Sequence, residues 1–388
     1  MKRAIIIGGS NGIGLAIANK LVNDGRAITV LDVNEPHASI LGKCEYVRTN
    51  LASFDIELFE SLSKREEVDT LVITAGLGRI CNFEDISIAE IDKLFSINSV
   101  AVTKILSIFY NRIRSDEDFY VGVMGSIAGI VSSPMFSVYS ATKSAVCKLI
   151  EALNTELDAN GFKNRILNVS PGSIKGTKFN GGENDLSLTD GLSSEIVTRL
   201  YQRESLFIPD YDDIYKGVIE RYIDNGHKFG LESYEYKKKS GRVLQKSPIT
   251  VGYLSGTFDL FHTGHLNLIR KAKAECDYLI VGVHPDANHK GKKAVISFED
   301  RMAVVGGCKY VDKVVKSCSE DSDAWMLHRY NKLFVGSDYK GTERFLRYEE
   351  FFKDKSVEIV YFPYTQGISS TQIRESLIEK EEKSAEEK

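Results

Sequence analysis

The sequence predicts an α/β protein with two doubly wound parallel sheets in tandem. Each half of the chain contains a short apolar run, at residues 4–7 and 249–254, of the kind that forms a buried parallel strand. In each half the run leads into a glycine-containing turn and then into a helical pattern. Apolar runs and helical patterns alternate after it, which favours strands and helices wound around a parallel sheet. The 388 residues are enough for two separate cores.

The composition excludes several classes of protein. Hydrophobic residues make up 43% and charged residues 27% of the chain, as in ordinary globular proteins, and the net charge of −4 gives no reason to expect nucleic acid or an anionic membrane. The six cysteines are scattered without a CxxC pair, which favours reduced thiols over a disulfide framework or a zinc site. No apolar run approaches a membrane span or a signal sequence in length. We therefore expect a cytoplasmic protein with neither nucleic acid nor membrane as partner.

The first strand runs into a glycine-rich turn, GGSNGIG at residues 8–14, and a helical pattern follows. Such a turn lets the backbone approach a pyrophosphate at the helix N-terminus. A second strand at residues 28–31 ends at Asp32, whose carboxylate can accept hydrogen bonds from the adenosine ribose and repel a 2′-phosphate. No basic residue follows Asp32 directly, and Asn11 rather than a base precedes Gly12. The pattern favours NADH over NADPH as the cofactor.

The alternation of strands and helices continues through the first half of the chain. The pattern predicts strands at residues 70–74, 120–124 and 166–169, and helices at residues 86–110, 138–153 and 208–223. A Rossmann-like sheet of this kind binds its ligand at the carboxyl ends of the strands. The side chains just after the strands are therefore the first candidates for a site.

Three residues of this half form a candidate catalytic set. Ser126 follows a predicted strand, and Tyr139 and Lys143 are four residues apart, on one face of a predicted helix. A nearby ammonium group favours phenolate, so Lys143 is expected to lower the pKa of Tyr139 and make it usable as an acid or base. The Ser126 hydroxyl can hold a substrate carbonyl.

These residues, together with the glycine turn, resemble the short-chain dehydrogenase/reductase family over about the first 230 residues. The resemblance implies that Tyr139 donates a proton to a ketone and that Lys143 binds the nicotinamide ribose. It also implies that Ser126 orients the carbonyl and that Asn98 holds the water linking Lys143 to solvent. The cofactor contacts assigned by the turn and by the resemblance are Gly8, Ser10, Asn11, Gly12, Ile13, Gly14, Asp32, Asn50, Leu51, Ala75, Gly76, Pro171, Gly172, Ile174 and Thr177.

The chain departs from the family pattern at three positions near the cofactor. Ile7 stands where the family usually has Thr, Thr74 where it has Asn, and Asn50 where it has Asp. These positions concern cofactor packing and adenine contacts rather than the catalytic set.

The segment at residues 175–203 corresponds to the substrate lid of that family. Lys175, Lys178 and Arg203 are candidates for binding a substrate phosphate there. The alternative is that these side chains are solvated.

The alternation breaks at a polar and basic stretch that we interpret as a linker or a linking hairpin. This divides the chain into a first domain at residues 1–232, a linker at 233–248, a second domain at 249–378 and a charged tail at 379–388. The three lysines at 237–239 are interpreted as a solvated run.

The second domain contains the tetrad HTGH at residues 262–265, where its first strand hands over to a helix. A helix N-terminus binds anions because its free N–H groups and the positive end of its dipole face the ligand. The imidazoles of His262 and His265 can donate hydrogen bonds to phosphate oxygens there.

This region resembles the HxGH nucleotidyltransferases, and within them the glycerol-3-phosphate cytidylyltransferases, over residues 249–377. The resemblance implies CTP as the nucleotide. Mg²⁺ would neutralise part of the triphosphate charge, and Asp259 is a possible contact that the family pattern does not fix as a ligand. Tyr364-Thr365 stands where the family has Arg-Thr, so one expected cation is missing, and Gln366 replaces an acidic residue. The nucleotide contacts implied by the resemblance are Gly256, Thr257, Phe258, Lys293, Arg301, Asp338, Thr365, Gly367, Ile368, Ser369 and Thr371.

Together the two halves predict a bifunctional enzyme. The first would reduce a ketose phosphate to a polyol phosphate with NADH or NADPH, and the second would transfer CMP from CTP to give a CDP-polyol and pyrophosphate. The combination resembles the bifunctional ketose-phosphate reductase/CDP-alditol synthases, which implies a product such as CDP-ribitol or CDP-glucitol for capsule or teichoic-acid type polysaccharide synthesis. We expect a homo-oligomer, either a dimer or a tetramer.

Two alternatives remain open at this stage. In one, a cytidylyltransferase of the CDP-glycerol type is fused to a reductase that serves a different sugar step. In the other, the reductase half only binds a nucleotide and acts as a scaffold, although Ser126, Tyr139 and Lys143 are all present.

Overall fold

The computed structural model describes residues 2–180, 183–239, 247, 249–286 and 294–363. The chain divides into two compact units. The first unit comprises Met1–Asp85 and Ile91–Pro248, and the second comprises Ile249–Lys388 and Ile86–Glu90.

The first unit is built on a seven-stranded parallel sheet. Its strands are β1 (Arg3–Ile7), β2 (Ala27–Asp32), β3 (Glu45–Arg48), β4 (Val68–Ile73), β5 (Tyr120–Met124), β6 (Ile166–Val169) and β7 (Leu206–Phe207). They follow the order β3-β2-β1-β4-β5-β6-β7, with every pair parallel. The strand order reverses between β1 and β4, which is where sheets of this kind open a crevice for a ligand.

Eight helices accompany this sheet within the described residues. They are α1 (Gly12–Asn23), α2 (Ile56–Ser63), α3 (Ile88–Phe95), α4 (Val102–Ile113), α5 (Ser137–Ala159), α6 (Leu186–Tyr201), α7 (Lys216–Asp224) and α8 (Gly226–Lys239). A π-helical segment, Ser96–Ala101, joins α3 to α4. Helices α1 and α6 pack on one face of the sheet, and α2, α4 and α5 pack on the other.

Strand β1 shows why the sheet forms. Successive side chains of a strand point to opposite faces, and a strand covered on both faces is apolar throughout. Ile5 and Ile7 belong to the core on one face, while Ala4 and Ile6 belong to the core on the other.

One stretch of the described chain, Ile88–Ile113, is long and apolar enough to cross a membrane by length and composition. Half of its most apolar window is buried inside the protein. Core helices of globular domains meet the same criterion, so the stretch is weak support for a membrane span.

The second unit contains a five-stranded parallel sheet in the order β10-β9-β8-β11-β12. Its strands are β8 (Val251–Gly256), β9 (Tyr278–Val283), β10 (Lys313–Lys316), β11 (Lys332–Gly336) and β12 (Glu358–Phe362). Its described helices are α9 (Thr263–Ala274), α10 (Phe298–Gly306), α11 (Asp321–His328) and α12 (Glu343–Phe352). The predicted fold class, two Rossmann-like doubly wound parallel sheets in tandem, is confirmed.

The structure differs from the sequence prediction at the sheet edges. Strands β3, β7 and β10 were not predicted, since they are short and half-exposed and therefore lack a continuous apolar run. The predicted helix at 208–223 begins later, as a π-helical turn at Tyr211–Tyr215 followed by α7.

The stretch predicted as a linker, residues 233–248, begins within a helix. Residues 233–239 form the second half of helix α8. Within the lysine run, Lys237 is half-buried and donates hydrogen bonds to Ser133 Oγ and to the Pro134 carbonyl, so it is not part of a solvated run. The predicted tail at 379–388 lies outside the described residues.

Candidate active sites

The turn between β1 and α1 has the conformation that a phosphate cradle needs. Gly8 and Gly12 adopt φ angles of +88° and +55°, which glycine reaches without steric cost. A Cβ on Gly14 would lie 2.1 Å from the Gly8 carbonyl oxygen, so the helix could not approach the turn with a larger residue there. Ser10, Asn11 and the other predicted turn residues therefore lie at the helix N-terminus, a place suited to a pyrophosphate.

Asp32 lies beside this turn, at the carboxyl end of β2. Its carboxylate accepts hydrogen bonds from the backbone N–H groups of Ser10 and Asn34, each at 3.0 Å. The Ser10 hydroxyl donates to the Asn34 carbonyl at 2.9 Å. The negative charge is therefore held at a fixed position next to the glycine turn.

The other predicted cofactor contacts lie at the same edge of the sheet. They follow the carboxyl ends of their strands, with Asn50 and Leu51 after β3, Ala75 and Gly76 after β4, and Pro171, Gly172, Ile174 and Thr177 after β6. The N–H of Ala75 donates to the Ile7 carbonyl at 3.1 Å, and a Cβ on Gly12 would lie 3.5 Å from Thr177 Cβ. These residues can hold a dinucleotide along the carboxyl edge of the sheet.

Asn184 joins this site, and sequence reasoning missed it. The Gly12 N–H donates to Asn184 Oδ1 at 2.9 Å, and Asn184 Nδ2 donates to Asn11 Oδ1 at 3.1 Å. The residue is 172 positions from Gly12 in sequence, and no local pattern connects the two.

Tyr139 lies in α5 and is buried in a cluster with two other aromatic rings. Phe136 stacks on it with ring centroids 4.1 Å apart, and Phe179 lies on it at 5.4 Å. The Tyr139 hydroxyl is hydrogen-bonded to Ser126, whose Oγ also accepts from the Ala128 N–H at 3.1 Å. Burial raises the pKa of Tyr139 well above its ordinary value, although the bond to Ser126 opposes this.

Lys143 is buried one helical turn further along α5. Its Nζ donates to the Met124 carbonyl at 2.7 Å and lies 5.7 Å from the Tyr139 ring centroid. Burial lowers the pKa of Lys143 to about 8.

The pKa of Tyr139 is raised in the structure, whereas we expected Lys143 to lower it. Burial is the largest influence on the phenol, and it raises the pKa instead of lowering it. A raised pKa keeps Tyr139 protonated near neutral pH, which suits a proton donor.

Asn98 lies in the π-helical segment and has no exposed surface. Its Oδ1 accepts from the Leu77 N–H at 2.9 Å, and its Nδ2 donates to the Leu77 carbonyl at 2.8 Å and to Thr142 Oγ1 at 3.0 Å. The side chain thereby ties the loop after β4 to the catalytic helix. Its predicted role as holder of a water remains a prediction.

Two loops meet at the Tyr139 ring. A Cβ on Gly78 would lie 2.5 Å from Tyr139 Cδ2, so this loop passes against the ring only because residue 78 is glycine. The Cys81 N–H donates to the Met135 carbonyl at 2.8 Å and joins this loop to the one that leads into α5. Sequence reasoning missed Gly78, although its place just after Ala75-Gly76 was a usable signal.

Arg203, one of the three candidates for binding a substrate phosphate, has other partners in the structure. It donates to Asp118 at 2.6 Å and to the Tyr120 hydroxyl at 3.4 Å. These partners stand at the start of β5, at the edge of the sheet opposite to Ser126. Lys175 and Lys178 are exposed.

In the second unit, His262 and His265 lie at the N-terminus of α9. The rings stack with centroids 4.0 Å apart, and His262 Nδ1 accepts from the Gly264 N–H at 3.1 Å. That bond leaves the proton of a neutral His262 on Nε2, which can donate to a ligand. Burial lowers the pKa of His262.

The loop between β8 and α9 contains two left-handed residues other than glycine. Phe258 and Leu260 have φ angles of +52° and +50°, a region that L-residues rarely adopt. Between them Asp259, only 4% exposed, accepts hydrogen bonds from the N–H groups of Val295 at 3.0 Å and Ile296 at 2.9 Å.

Asp259, a possible Mg²⁺ contact in the sequence analysis, therefore has a structural role. Its carboxylate holds two backbone segments together. Within the described ranges, no group of three or more His, Cys, Asp or Glu residues is arranged to hold a metal ion. We assign no ligand set for the expected Mg²⁺.

Arg301 also differs from the prediction of a phosphate contact. It is 2% exposed and donates to the carbonyls of Thr257 at 2.5 Å, His284 at 2.8 Å, Pro285 at 2.9 Å and Ile296 at 3.1 Å. A buried guanidinium needs such acceptors because leaving its N–H groups unpaired is costly. The side chain clamps the loops around the site instead of facing a nucleotide.

The remaining predicted nucleotide contacts have mixed outcomes. Gly256 ends β8 and packs on the Phe258 ring, which would lie 3.0 Å from a Cβ there, and Thr257 is buried beside it. Asp338 is exposed in the turn after β11. Six predicted contacts lie outside the described residues, namely Lys293, Thr365, Gly367, Ile368, Ser369 and Thr371.

Comparison with known proteins finds separate matches for the two halves of the chain. A cytidylyltransferase-like family model matches residues 253–376. The glycerol-3-phosphate cytidylyltransferase of Bacillus subtilis (strain 168) is 37% identical over 126 residues, which are 31% of this chain and 92% of that protein. The chain belongs to the cytidylyltransferase-like family. The equivalent enzyme of Staphylococcus aureus (strain NCTC 8325 / PS 47) is 35% identical over 33% of this chain and 95% of its own length.

The first domain matches a second family, the short chain dehydrogenases, over residues 2–186. A probable short-chain type dehydrogenase/reductase of Helicobacter pylori (strain J99 / ATCC 700824) is 29% identical over 44% of this chain and 65% of that protein. A short-chain dehydrogenase from Sphingobium yanoikuyae in complex with NADPH is 21% identical, with a TM-score of 0.48 over 60% of this chain and 95% of that one.

The predicted fusion of the two families is confirmed, and the protein is an enzyme with a reductase and a cytidylyltransferase activity. The reductase uses a nicotinamide cofactor, and the glycine cradle and Asp32 fit one.

Proposed function

We propose that the first domain reduces a ketose phosphate to a polyol phosphate and that the second joins this product to CMP. One observation carries the proposal: a carbonyl-reducing domain and a cytidylyltransferase-like domain occur in a single chain. The Bacillus subtilis relative is named for glycerol 3-phosphate, which is a polyol phosphate. Reduction of a ketose phosphate generates a compound of the same class.

In the reductase domain, Tyr139 is the proton donor. Its phenol, kept protonated by burial, donates its proton to the carbonyl oxygen of the ketose, while Ser126 holds that oxygen by a hydrogen bond. A nicotinamide cofactor, when bound along the glycine turn and beside Asp32, would supply the hydride for this reduction. Lys143 then favours the phenolate until a proton returns to it.

Asp32 selects the cofactor. Its carboxylate, fixed by the N–H groups of Ser10 and Asn34, would repel a 2′-phosphate at the adenosine ribose. We therefore favour NADH over NADPH.

In the transferase domain, a phosphate oxygen of the polyol phosphate attacks the α-phosphorus of CTP. The bond from that phosphorus to the bridging oxygen of the β-phosphate breaks, and pyrophosphate leaves. The attacking group is already an anion, so positioning and charge stabilisation account for most of the catalysis. His262 and His265 provide N–H donors for the phosphate oxygens beside the N-terminus of α9.

The product would be a CDP-polyol such as CDP-ribitol or CDP-glucitol, used in the cytoplasm for capsule or teichoic-acid type polysaccharides. We also propose that the enzyme is a homo-oligomer, a dimer or a tetramer. A second candidate is favoured by the names of the relatives: the transferase makes CDP-glycerol, and the reductase serves another sugar step.

A coupled assay tests the proposal. Ribulose 5-phosphate, fructose 6-phosphate and dihydroxyacetone phosphate are each supplied with NADH or NADPH, and then with CTP. We expect one of the first two to oxidise the cofactor and pyrophosphate release to require that oxidation. A reduced product that the CTP step does not accept would contradict the proposal and favour the second candidate.

A further inference from the structure

Helix α8 lies beyond the residues that match the short-chain dehydrogenase family, yet it contacts the catalytic region of the first unit. Lys238 and Lys239 are exposed at its end, whereas Lys237 is half-buried. The ammonium of Lys237 donates to Ser133 Oγ at 2.7 Å and to the Pro134 carbonyl at 2.8 Å. These are short bonds of the charge-assisted kind.

The two acceptors belong to the loop that leads into α5, residues 132–136. Met135 in this loop has a φ angle of +61°, which is uncommon for a residue other than glycine. Phe136 ends the loop and stacks on Tyr139 at 4.1 Å. A left-handed backbone next to a stacked ring persists only when surrounding contacts hold it.

A second loop is tied to this one. The Met135 carbonyl accepts from the Cys81 N–H at 2.8 Å. In the same loop as Cys81, Gly78 passes so close to Tyr139 that a Cβ would lie 2.5 Å from its ring. The ammonium of Lys237 therefore stabilises a chain of contacts that reaches the ring of Tyr139 through Phe136 and through Gly78.

We propose that Lys237 is a positioning residue for carbonyl reduction, which holds the loop at residues 132–136 and thereby the ring of Tyr139. Two of its N–H donors fix adjacent residues of the loop, which an apolar side chain of similar length such as methionine cannot do. A small displacement of a reacting group costs much of the rate, because proton donation requires close approach and alignment. Helix α8 thus contributes to carbonyl reduction through Lys237.

The test compares Lys237→Met with Lys238→Met, a matched control at the exposed neighbour, and with Lys237→Arg as the conservative variant. The substrate is the ketose phosphate reduced by the parent enzyme, so this arm rests on the proposed function. We expect Lys237→Met to lower kcat for reduction by roughly ten- to a hundredfold, with little change in KM for NADH. Lys237→Arg should recover most of kcat, and Lys238→Met should match the parent.

Hydrogen exchange measured by mass spectrometry provides an arm that needs no substrate. Peptides covering residues 77–82 and 130–136 should exchange faster in Lys237→Met and at the parent rate in Lys238→Met. Cytidylyl transfer should be unchanged in all three variants. If Lys237→Met does not fold, Ser133→Ala removes one acceptor and should show the same pattern with smaller changes.

Parent values of kcat and of exchange in Lys237→Met, or in Ser133→Ala where that variant is used, would overturn the proposal. So would a loss of kcat without faster exchange in the two loops. If the parent enzyme reduces none of the ketose phosphates, the proposed substrate fails, and the exchange arm alone decides the role of Lys237.

Discussion

The turn after the first strand is built differently in the two domains. In the reductase domain Gly8 and Gly12 supply the positive φ angles, and glycine adopts them at no steric cost. In the transferase domain Phe258 and Leu260 supply them, and these residues adopt such angles only when other contacts enforce the conformation. Both turns nevertheless lead into the N-terminus of a helix next to the candidate site.

Buried charged side chains enforce the second turn. Asp259 accepts two backbone N–H groups from residues 295 and 296, and Arg301 donates to four backbone carbonyls, including that of Thr257. A left-handed backbone in such a turn can thus be supplied by glycine, or it can be held by buried charged side chains that hydrogen-bond to the backbone. A clamp of this kind depends on residues outside the motif, so single substitutions far from HTGH should disable the second site.

The largest effect is expected at the proton donor, which tests whether the two sites act independently. Tyr139→Phe keeps the ring in its contacts with Phe136 and Phe179 but removes the acidic hydroxyl. Ketose phosphate reduction should fall by roughly 10²- to 10⁴-fold in kcat. Cytidylyl transfer from supplied polyol phosphate is the internal control, and an equal fall in both rates in a folded variant would contradict two separate sites.

Removing the Arg301 side chain tests whether the turn between β8 and α9 depends on buried charged residues. Arg301→Met leaves four carbonyls without their donor, and we expect the second domain to lose about 3–5 kcal/mol of unfolding free energy together with cytidylyl transfer. The one tryptophan, Trp325 in α11, reports on this domain during denaturation. Arg270→Met, at an exposed position of α9, is the matched control. An unfolding midpoint equal to that of the parent would mean that the turn does not need its clamp.

A loss of one phosphate donor should be smaller and confined to chemistry. His265→Ala is expected to lower kcat for CDP-polyol formation by roughly a hundred- to a thousandfold, with a smaller change in KM for CTP. Reduction should continue, so that polyol phosphate accumulates when both substrates are supplied. Turnover of CTP near the parent rate in this variant would rule out the site at the N-terminus of α9.

The reductase should lose activity as pH rises through about 8, where burial places the pKa of Lys143. Above that pH the ammonium that serves Tyr139 is lost, so kcat/KM for reduction should fall up to tenfold per pH unit. The titratable groups near Lys143 are Tyr139, which remains protonated there because burial raises its pKa, and Cys147.

The free energy of unfolding should rise, while the activity falls, as pH increases above about 8. The pKa of Lys143 and that of Lys237 are each lowered from 10.5 to about 8 by burial, so the unfolded chain binds more protons between these values. These two lysines should therefore contribute a rise in the free energy of unfolding of the first domain from about pH 8 upwards, until Cys44 and the buried tyrosines, whose pKa values burial raises, begin to oppose it near pH 9 to 10. Activity and stability that fall together would show that unfolding, and not Lys143, causes the loss.

The smallest effect concerns the cofactor. Asp32→Ala removes the charge that would face a 2′-phosphate, and should raise the NADPH to NADH ratio of kcat/KM by about three- to tenfold. Asp32→Asn keeps an acceptor for the Ser10 N–H, so it separates loss of charge from loss of the hydrogen bond. A parent enzyme that already prefers NADPH would contradict the predicted selection.

The sequence by itself determined the two parallel sheets and the glycine turn, and it supplied the candidate catalytic set in the first domain and the candidate HTGH site in the second. Each of these depends on residues close together in the chain, such as the four-residue spacing of Tyr139 and Lys143, or on an apolar run that ends at a polar residue. Strand pairing then brings the carboxyl ends of the strands to one edge, which a parallel sheet requires.

Tertiary structure alone decided where the charged side chains go. Arg301 and Arg203 both lie in segments that were candidates for binding phosphate. Arg301 is buried and donates to backbone carbonyls 5 to 44 positions away in sequence. Arg203 pairs with Asp118, which is 85 positions away. Lys237 reaches Ser133 across 104 positions, and Asn184 reaches Gly12 across 172. A buried charge must find acceptors or counter-charges wherever the fold places them, and no local pattern in the sequence shows which backbone groups will be left for it.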